Sequence, residues 1–201
     1  HVVSGSNTSN LIATNMVSGN GHTCGIDNSG SVQCWGSDSY SEVSNTPSGT
    51  FTSLASGIYH TCGIDNSGNV QCWGYDGYGQ VSNTPSGAFT SLTSGQYYTC
   101  GIESGGSIQC WGSDNNNTVS NTPSGTFTSL SSGYGHVCGI ESGGSVQCWG
   151  SDSYSEVSNT PSGTFTGLSR GNEAYHTCGT LTTGNVVCWG SDNNGQTSEV
   201  P

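Results

Sequence analysis

HTCGIDNSGSVQCWG, His22 to Gly36, returns four more times along this chain: HTCGIDNSGNVQCWG from His60, YTCGIESGGSIQCWG from Tyr98, HVCGIESGGSVQCWG from His136 and HTCGTLTTGNVVCWG from His176. Its first cysteine recurs at Cys24, Cys62, Cys100, Cys138 and Cys178, a period of 38 residues that lengthens to 40 at the last step. A fixed period of this size signals a solenoid or a propeller, in which each unit buries its faces against its neighbours. Helical periodicity is absent, and β-branched and aromatic residues alternate with Gly-rich turns, so the unit is built of strands. Three strands are expected in the second copy, Phe51 to Ser56, His60 to Asp65 and Asn69 to Gly74, with a looser fourth segment around Val81 leading into the linker SNTPSG.

The phrase reads as a hairpin. With Asn28, Ser29 and Gly30 as a three-residue loop and Gly30 left-handed, Ile26 faces Val32 and Cys24 faces Cys34. Two sulfurs opposed on one face are within bridging reach, which pairs Cys24–Cys34, Cys62–Cys72, Cys100–Cys110, Cys138–Cys148 and Cys178–Cys188. On the other face Trp35 stands across from Thr23 and diagonal to Gly25, a glycine that recurs at Gly63, Gly101, Gly139 and Gly179 and whose missing side chain is expected to leave room for the indole or for a neighbouring backbone.

Composition explains the need for staples. Only 30% of the 201 residues are hydrophobic and 7% charged, so apolar area is scarce and ten cysteines in a regular pattern supply crosslinks in its place. Such bridges need an oxidising compartment, and the reading is a secreted, extracellular or cell-surface protein. Thirteen acidic residues against one basic give a net charge of −12, which excludes nucleic acid and anionic membrane surfaces as partners. No apolar run reaches the length of a membrane span, so no membrane insertion is expected, and the absence of a leader suggests a mature product.

The pattern H-T-C-G-I-x-x-x-G-x-V-x-C-W-G, followed in the second copy by YDGYGQVS, resembles the regulator-of-chromosome-condensation repeat in its cysteine-containing extracellular form. The resemblance covers nearly the whole chain, although the period is shorter than in the nuclear members. It implies an all-β, five-bladed β-propeller with one hairpin disulfide per blade and repeats at about residues 12–49, 50–87, 88–125, 126–163 and 164–201. Residues 1–11 are then a closing or exchanged segment. Ser6-Asn7-Thr8 matches Ser44-Asn45-Thr46, and Ser191 to Pro201 repeats Ser151 to Pro161, so the two ends are copies of one segment. Overlapping ends either complete the ring or extend into the next molecule.

Residues able to carry chemistry sit at repeated positions. His22, His60, His136 and His176 share one position, with Tyr98 there in the third copy, and are expected to make structural hydrogen bonds rather than bind metal. Asp38, Asp76, Asp114, Asp152 and Asp192 follow Trp-Gly by two and are expected to close turns. No catalytic pairing, metal site or cofactor site is present, and the chain is read as not an enzyme. N-glycosylation sequons fall at Asn7 and Asn116, and the linkers offer Thr46, Ser48, Thr84, Ser86, Thr122, Ser124, Thr160 and Ser162 for O-glycosylation. One insertion breaks the repeat symmetry, placing Arg170, Glu173 and Tyr175 in a candidate contact loop. Tyr40, Tyr59, Tyr78, Tyr97, Tyr98, Tyr134, Tyr154 and Tyr175 lie in or near turns, where exposed rings stack on a sugar or a protein.

Near-identity of the copies favours a secreted structural or interaction protein, a glycosylated fibre or matrix subunit self-associating head to tail. The alternative is an adhesion module that binds an extracellular glycan or protein in the manner of a lectin-like propeller.

Overall fold

The computed structural model describes residues 15–169, 171 and 174–200. Among them the chain forms five three-stranded antiparallel sheets, each running in chain order. The first holds β1 (Asn15–Ser18), β2 (His22–Ile26) and β3 (Val32–Gly36), and the second β4 (Phe51–Ser56), β5 (His60–Asp65) and β6 (Val70–Gly74). The third holds β7 (Phe89–Ser94), β8 (Tyr98–Glu103) and β9 (Ile108–Gly112), and the fourth β10 (Phe127–Ser132), β11 (His136–Glu141) and β12 (Val146–Gly150). The fifth holds β13 (Phe165–Leu168), β14 (His176–Leu181) and β15 (Val186–Gly190). The segment around Val81 forms hydrogen-bonded turns, with Asn83 N donating to Gly79 O at 3.2 Å and Thr84 N to Val81 O at 3.3 Å.

Each hairpin takes the register its residues require. Asp27 N donates to Ser31 O and Gly30 N to Asp27 O, both at 2.9 Å, and Gly30 has φ of 86°. A side chain there is strained, and its Cβ would also press on Thr50 at 3.2 Å. Cys24 then pairs with Cys34 and Ile26 with Val32. All five cysteine pairs are bridged, across Cα separations of 4.0 to 4.1 Å typical of the closely approaching pairs of an antiparallel ladder. Each bridge closes a short loop, worth about 3 kcal/mol on the chain-entropy account.

The glycine across the sheet serves a different neighbour from the one expected. Phe51 pairs with Asp65 and Leu54 with Gly63, with a bulge between Phe51 and Ser53. In a regular strand two side chains three residues apart point to opposite faces; the extra residue brings Phe51 and Leu54 onto one face, over Gly63. A Cβ on Gly63 would lie 2.7 Å from the Phe51 ring and 2.9 Å from Leu54, so the glycine makes room for its own sheet's first strand and not for the tryptophan indole. Gly101, Gly139 and Gly179 repeat the arrangement.

The sheets therefore have two unlike faces. One carries the disulfide with Ile and Val, Thr180 replacing the Ile in the fifth sheet. In the second to fifth sheets the other carries Phe, Leu and Trp, where the first sheet has Met16 and Trp35. From the second sheet on, this second face covers the first face of the sheet before it. Cys24, Ile26 and Val32 pack on Phe51, Leu54 and Trp73, and Cys62, Ile64 and Val70 on Phe89, Leu92 and Trp111. The third and fourth junctions repeat the pattern around Trp149 and Trp189. Full burial of such side chains contributes about 1.5 to 3 kcal/mol each, so the core is four thin layers between sheets. The junctions are also clamped at the hairpin tips, where Phe51 N donates to Gly30 O and Phe89 N to Gly68 O, both at 2.8 Å.

Among the described residues no sheet covers the two end faces. Trp35 is 42% exposed where Trp73 is 3% and Trp111 4%, and at the other end Val186 is 48% exposed. Two measurements check this layering. Gly63→Ala is expected to destabilise by about 1 to 3 kcal/mol in denaturant unfolding, because Phe51 and Leu54 must leave their positions; unchanged stability would contradict the packing described. Acrylamide quenching of the five tryptophans is expected to resolve one accessible class that Trp35→Phe removes, and uniform protection would mean that the first face is covered in solution.

Candidate functional site

One end of the stack is assembled from two short connections per repeat. The loop before the second strand meets the turn after the third, with Tyr75 N donating to Tyr59 O at 2.7 Å and Ser113 N to Tyr97 O at 2.8 Å. Loops of adjacent repeats are bonded as well, Asn20 N to Ile58 O at 3.0 Å, Ile58 N to Gln96 O at 3.2 Å and Tyr134 N to Ala174 O at 2.9 Å. The result is a continuous rim tied along its length.

Two side chains fix the turns on that rim, except in the third repeat, where Thr118 replaces the second acceptor. Asp76 Oδ1 accepts the N–H groups of Val81 and Ser82 at 2.8 and 2.9 Å, and Asp38, Asp114, Asp152 and Asp192 do the same in their repeats. These carboxylates close turns, and such bonds favour the charged form. Hydrogen bonds from Ser44 and Val43 hold Asp38 below the usual range, and similar bonds bring Asp192 down to about 2. The second side chain is buried: Gln80 Oε1 accepts Tyr78 N at 2.8 Å, and Glu42 and Glu156 accept Tyr40 N and Tyr154 N at 2.7 Å. Tyr40, Tyr78 and Tyr154 thus project from turns whose backbone is held by acceptors beneath them.

Tyr40, Tyr59, Tyr75, Tyr78 and Tyr97 converge into one cluster spanning the first three repeats, with ring centroids 4.8 to 6.4 Å apart. Tyr40 and Tyr78 are each 45% exposed. Tyr134, Tyr154 and Tyr175 form a second group, with Tyr134 and Tyr175 stacked at 4.8 Å. Burial, followed by the neighbouring tyrosines, raises the Tyr97 phenol above its ordinary value. Tyr75, a cluster member, was not among the tyrosines singled out from sequence. Positions 40 and 59 are half a period apart, and only the contact of one repeat's turn with the next repeat's loop joins them. Tyr98, expected in or near an exposed turn, is instead buried at the histidine position, and its hydroxyl donates to His136 O at 2.7 Å and Gly133 O at 3.0 Å. Its sequence neighbour Tyr97 faces the rim, so one residue of displacement separates a surface ring from a core ring.

The histidines bond across junctions. His22 Nε2 lies 2.9 Å from Thr61 Oγ1, His60 Nε2 2.9 Å from Thr99 Oγ1 and His136 Nε2 2.8 Å from Thr177 Oγ1. Burial lowers the His60 and His136 imidazoles to about 4, with the neighbouring histidine adding to the effect. Among the described residues no three His, Cys, Asp or Glu side chains gather as metal ligands. First strands of the sheets border a cavity of about 300 Å³ lined by Ser18, Leu54, Ser56, Leu92, Ser94 and Ser132 among others.

Of the modification sites, Asn116 is exposed on the rim at the position of Tyr40 and Tyr78, while Thr118 of its sequon is buried. The hydroxyls of Thr46, Thr84, Thr122 and Thr160 donate to carbonyls three residues back, whereas Ser48, Ser86, Ser124 and Ser162 are exposed. Asn7, Arg170 and Glu173 lie outside the described residues.

The fold and the rim define a class, a tandem array of disulfide-stapled β-meanders with an aromatic loop end. The Regulator of chromosome condensation (RCC1) repeat matches residues 13–42, 51–80, 127–156 and 174–196, more than half of the chain. This chain belongs to that repeat family. Among solved structures it is similar to the entire ectodomain of the Physcomitrella patens receptor kinase CR4, with 30% identity, a TM-score of 0.76 and coverage of 90% of this chain and 52% of that one. The CRINKLY WD40 ectodomain of the Arabidopsis thaliana receptor kinase ACR4 is 28% identical, with a TM-score of 0.73 and coverage of 89% and 72%. Yeast RCC1 (Prp20), solved bound to Kap60, shares the fold at 15% identity, with a TM-score of 0.73 and coverage of 90% and 56%. The chain spans about half the length of the Physcomitrella ectodomain. No curated protein matches by sequence.

The buried histidines make stability dependent on pH. Their folded values lie below the ordinary 6.5, so the stabilisation is complete above that value and is lost as pH falls toward about 4. Between pH 6.5 and 4.5 unfolding free energy is expected to fall by about 1.4 kcal/mol per pH unit for each of His60 and His136. Denaturant titrations across that range check the slope, which His60→Gln is expected to reduce; a flat profile would contradict buried neutral imidazoles.

Proposed function

We propose that this chain is an extracellular, non-enzymatic interaction module that contacts a protein or glycan partner through the tyrosine rim. The observation that carries the reading is the convergence of Tyr40, Tyr59, Tyr75, Tyr78 and Tyr97 on one loop end. Clustered half-exposed tyrosines offer amphipathic contact area at low entropic cost, and loops on a rigid scaffold are where binding residues concentrate. Five disulfides call for an oxidising compartment, and similarity to two receptor-kinase ectodomains supports an extracellular setting.

The fibre or matrix reading receives no comparable support. Near-identity at the buried positions is accounted for by the junctions, since the repeated Cys, Ile, Phe and Trp residues are those that pack between sheets and the repeated Thr residues bond histidines across them. Closure into a five-bladed ring would require the Trp35 face to meet the Cys178 face, and the exposure of Trp35 and Val186 supports end faces that no other described sheet covers. We assign N-glycosylation to Asn116 and O-glycosylation to the four exposed linker serines in preference to the threonines, whose hydroxyls serve their turns.

Screening the labelled chain against immobilised oligosaccharides and extracellular-domain proteins tests the proposal. Saturable binding is expected, weakened at least tenfold by Tyr59→Ala with Tyr97→Ala while circular dichroism is unchanged. Binding that ignores these substitutions would remove the rim from the function. Filaments in electron micrographs of the purified chain would restore head-to-tail assembly.

A further inference from the structure

The rim cluster has two properties that together narrow its partner. Its rings meet at tilted or edge geometries, 56° for Tyr40 on Tyr59, 65° for Tyr40 on Tyr75 and 48° for Tyr78 on Tyr97, so stacking does not pair their faces off. In the second group Tyr134 and Tyr175 lie at 29° and cover one another, which makes the first cluster the better receptor. The electrostatic setting is one-sided. The chain has a single basic residue, Arg170, outside the described residues, so no described lysine or arginine competes for these rings.

Carboxylates stand on the same turns. Asp38 precedes Tyr40 by two residues, and Asp76 lies between Tyr75 and Tyr78. Both are exposed, and each commits Oδ1 to backbone N–H groups. Burial acts to raise Asp76, but the hydrogen bonds from Ser82 and Val81 outweigh it, and the group stays ionised across the physiological range. A phenol ring attracts a cation over its face, and a surface with excess negative charge raises the local concentration of cationic partners.

We propose that the rim formed by Tyr40, Tyr59, Tyr75, Tyr78 and Tyr97 receives a cationic segment of a protein partner, with arginine or lysine side chains over the phenol faces and Asp38 and Asp76 alongside. The proposal rests on the reading that the rim is the contact surface, and adds the chemistry of what it contacts. A neutral sugar stacks on the rings and donates hydroxyls to the carboxylates but leaves their charge uncompensated, and an acidic ligand is repelled.

The test uses the full chain and three fluorescent nine-residue peptides, alternating glycine with arginine, serine or glutamate, read by anisotropy at 50 and 300 mM NaCl. Only the arginine peptide is expected to bind, at least fivefold more weakly at the higher salt. Tyr40→Leu with Tyr78→Leu keeps apolar bulk on two exposed positions and is expected to weaken binding at least fivefold. Asp38→Asn with Asp76→Asn keeps an oxygen for the turn N–H groups and is expected to weaken binding and flatten the salt dependence. Equal binding of the three peptides, or arginine-peptide affinity untouched by the leucine variant, overturns the proposal. Rim-dependent binding of a neutral oligosaccharide without peptide binding also overturns it, while leaving the rim as the contact surface. Partner binding that survives every rim substitution sinks the underlying reading as well.

Discussion

The junction between successive sheets is the constraint on which everything else rests. One sheet alone is a three-stranded meander with a disulfide and a few apolar side chains, too little to stand in water. Laid against the next, its Cys, Ile and Val side chains meet Phe, Leu and Trp, and the histidine at its edge finds a threonine hydroxyl in the neighbouring sheet. The tryptophan indole N–H adds a bond to a carbonyl of the preceding repeat, Trp73 to Glu42 O at 3.0 Å and Trp111 to Gln80 O at 3.1 Å. Apolar contact supplies the energy, and the directional bonds fix the offset of one sheet on the next. In such an array stability comes from nearest-neighbour terms, so the rim inherits rigidity from the junctions beneath it.

Disulfides complement this arrangement without replacing it. They lie inside each hairpin, where they reduce the freedom of the unfolded chain and pre-form the face that the next sheet will cover. None crosses a junction, because each bridge joins the second and third strands of one meander. Cohesion between repeats is left to packing, to the histidine and tryptophan bonds, and to backbone bonds such as Phe51 N to Gly30 O and Ile58 N to Gln96 O.

How much of this was legible in the sequence follows from how far each contact reaches. Hairpin contacts are local: Gly30 determines the loop, the loop determines the register, and the register opposes Cys24 and Cys34, so these could be read directly. The strands of the second repeat were readable for the same reason, except that the third begins at Val70, one residue later than expected. The partner of Gly63 was misread because a bulge at Phe51 redirects two side chains, and nothing in the alternation of residues announces an extra one. The tyrosine cluster was least visible. Its members occupy unlike positions of the repeat, and they meet only because the turn of one repeat lies beside the loop of the next.

That difference in legibility separates scaffold from site. Junction positions repeat with few changes, since each must satisfy similar packing: inside the stack Tyr98 replaces a histidine and Val137 a threonine, and Thr180 stands where Ile26, Ile64, Ile102 and Ile140 pack, on a face that no further described sheet covers. Rim positions vary. Tyr40, Tyr78 and Tyr154 alternate with Asn116 and Asn194, Tyr59, Tyr97 and Tyr175 with Gly21 and Gly135, and Tyr75 is alone among serines. A surface under no common packing demand is free to differ from copy to copy, and here the differences concentrate aromatic rings over the first three repeats. Uniform junctions hold the loops in fixed positions; the uneven placement of tyrosines on those loops makes one sector of the rim chemically distinct from the rest, and chemical distinctness is what selective binding requires.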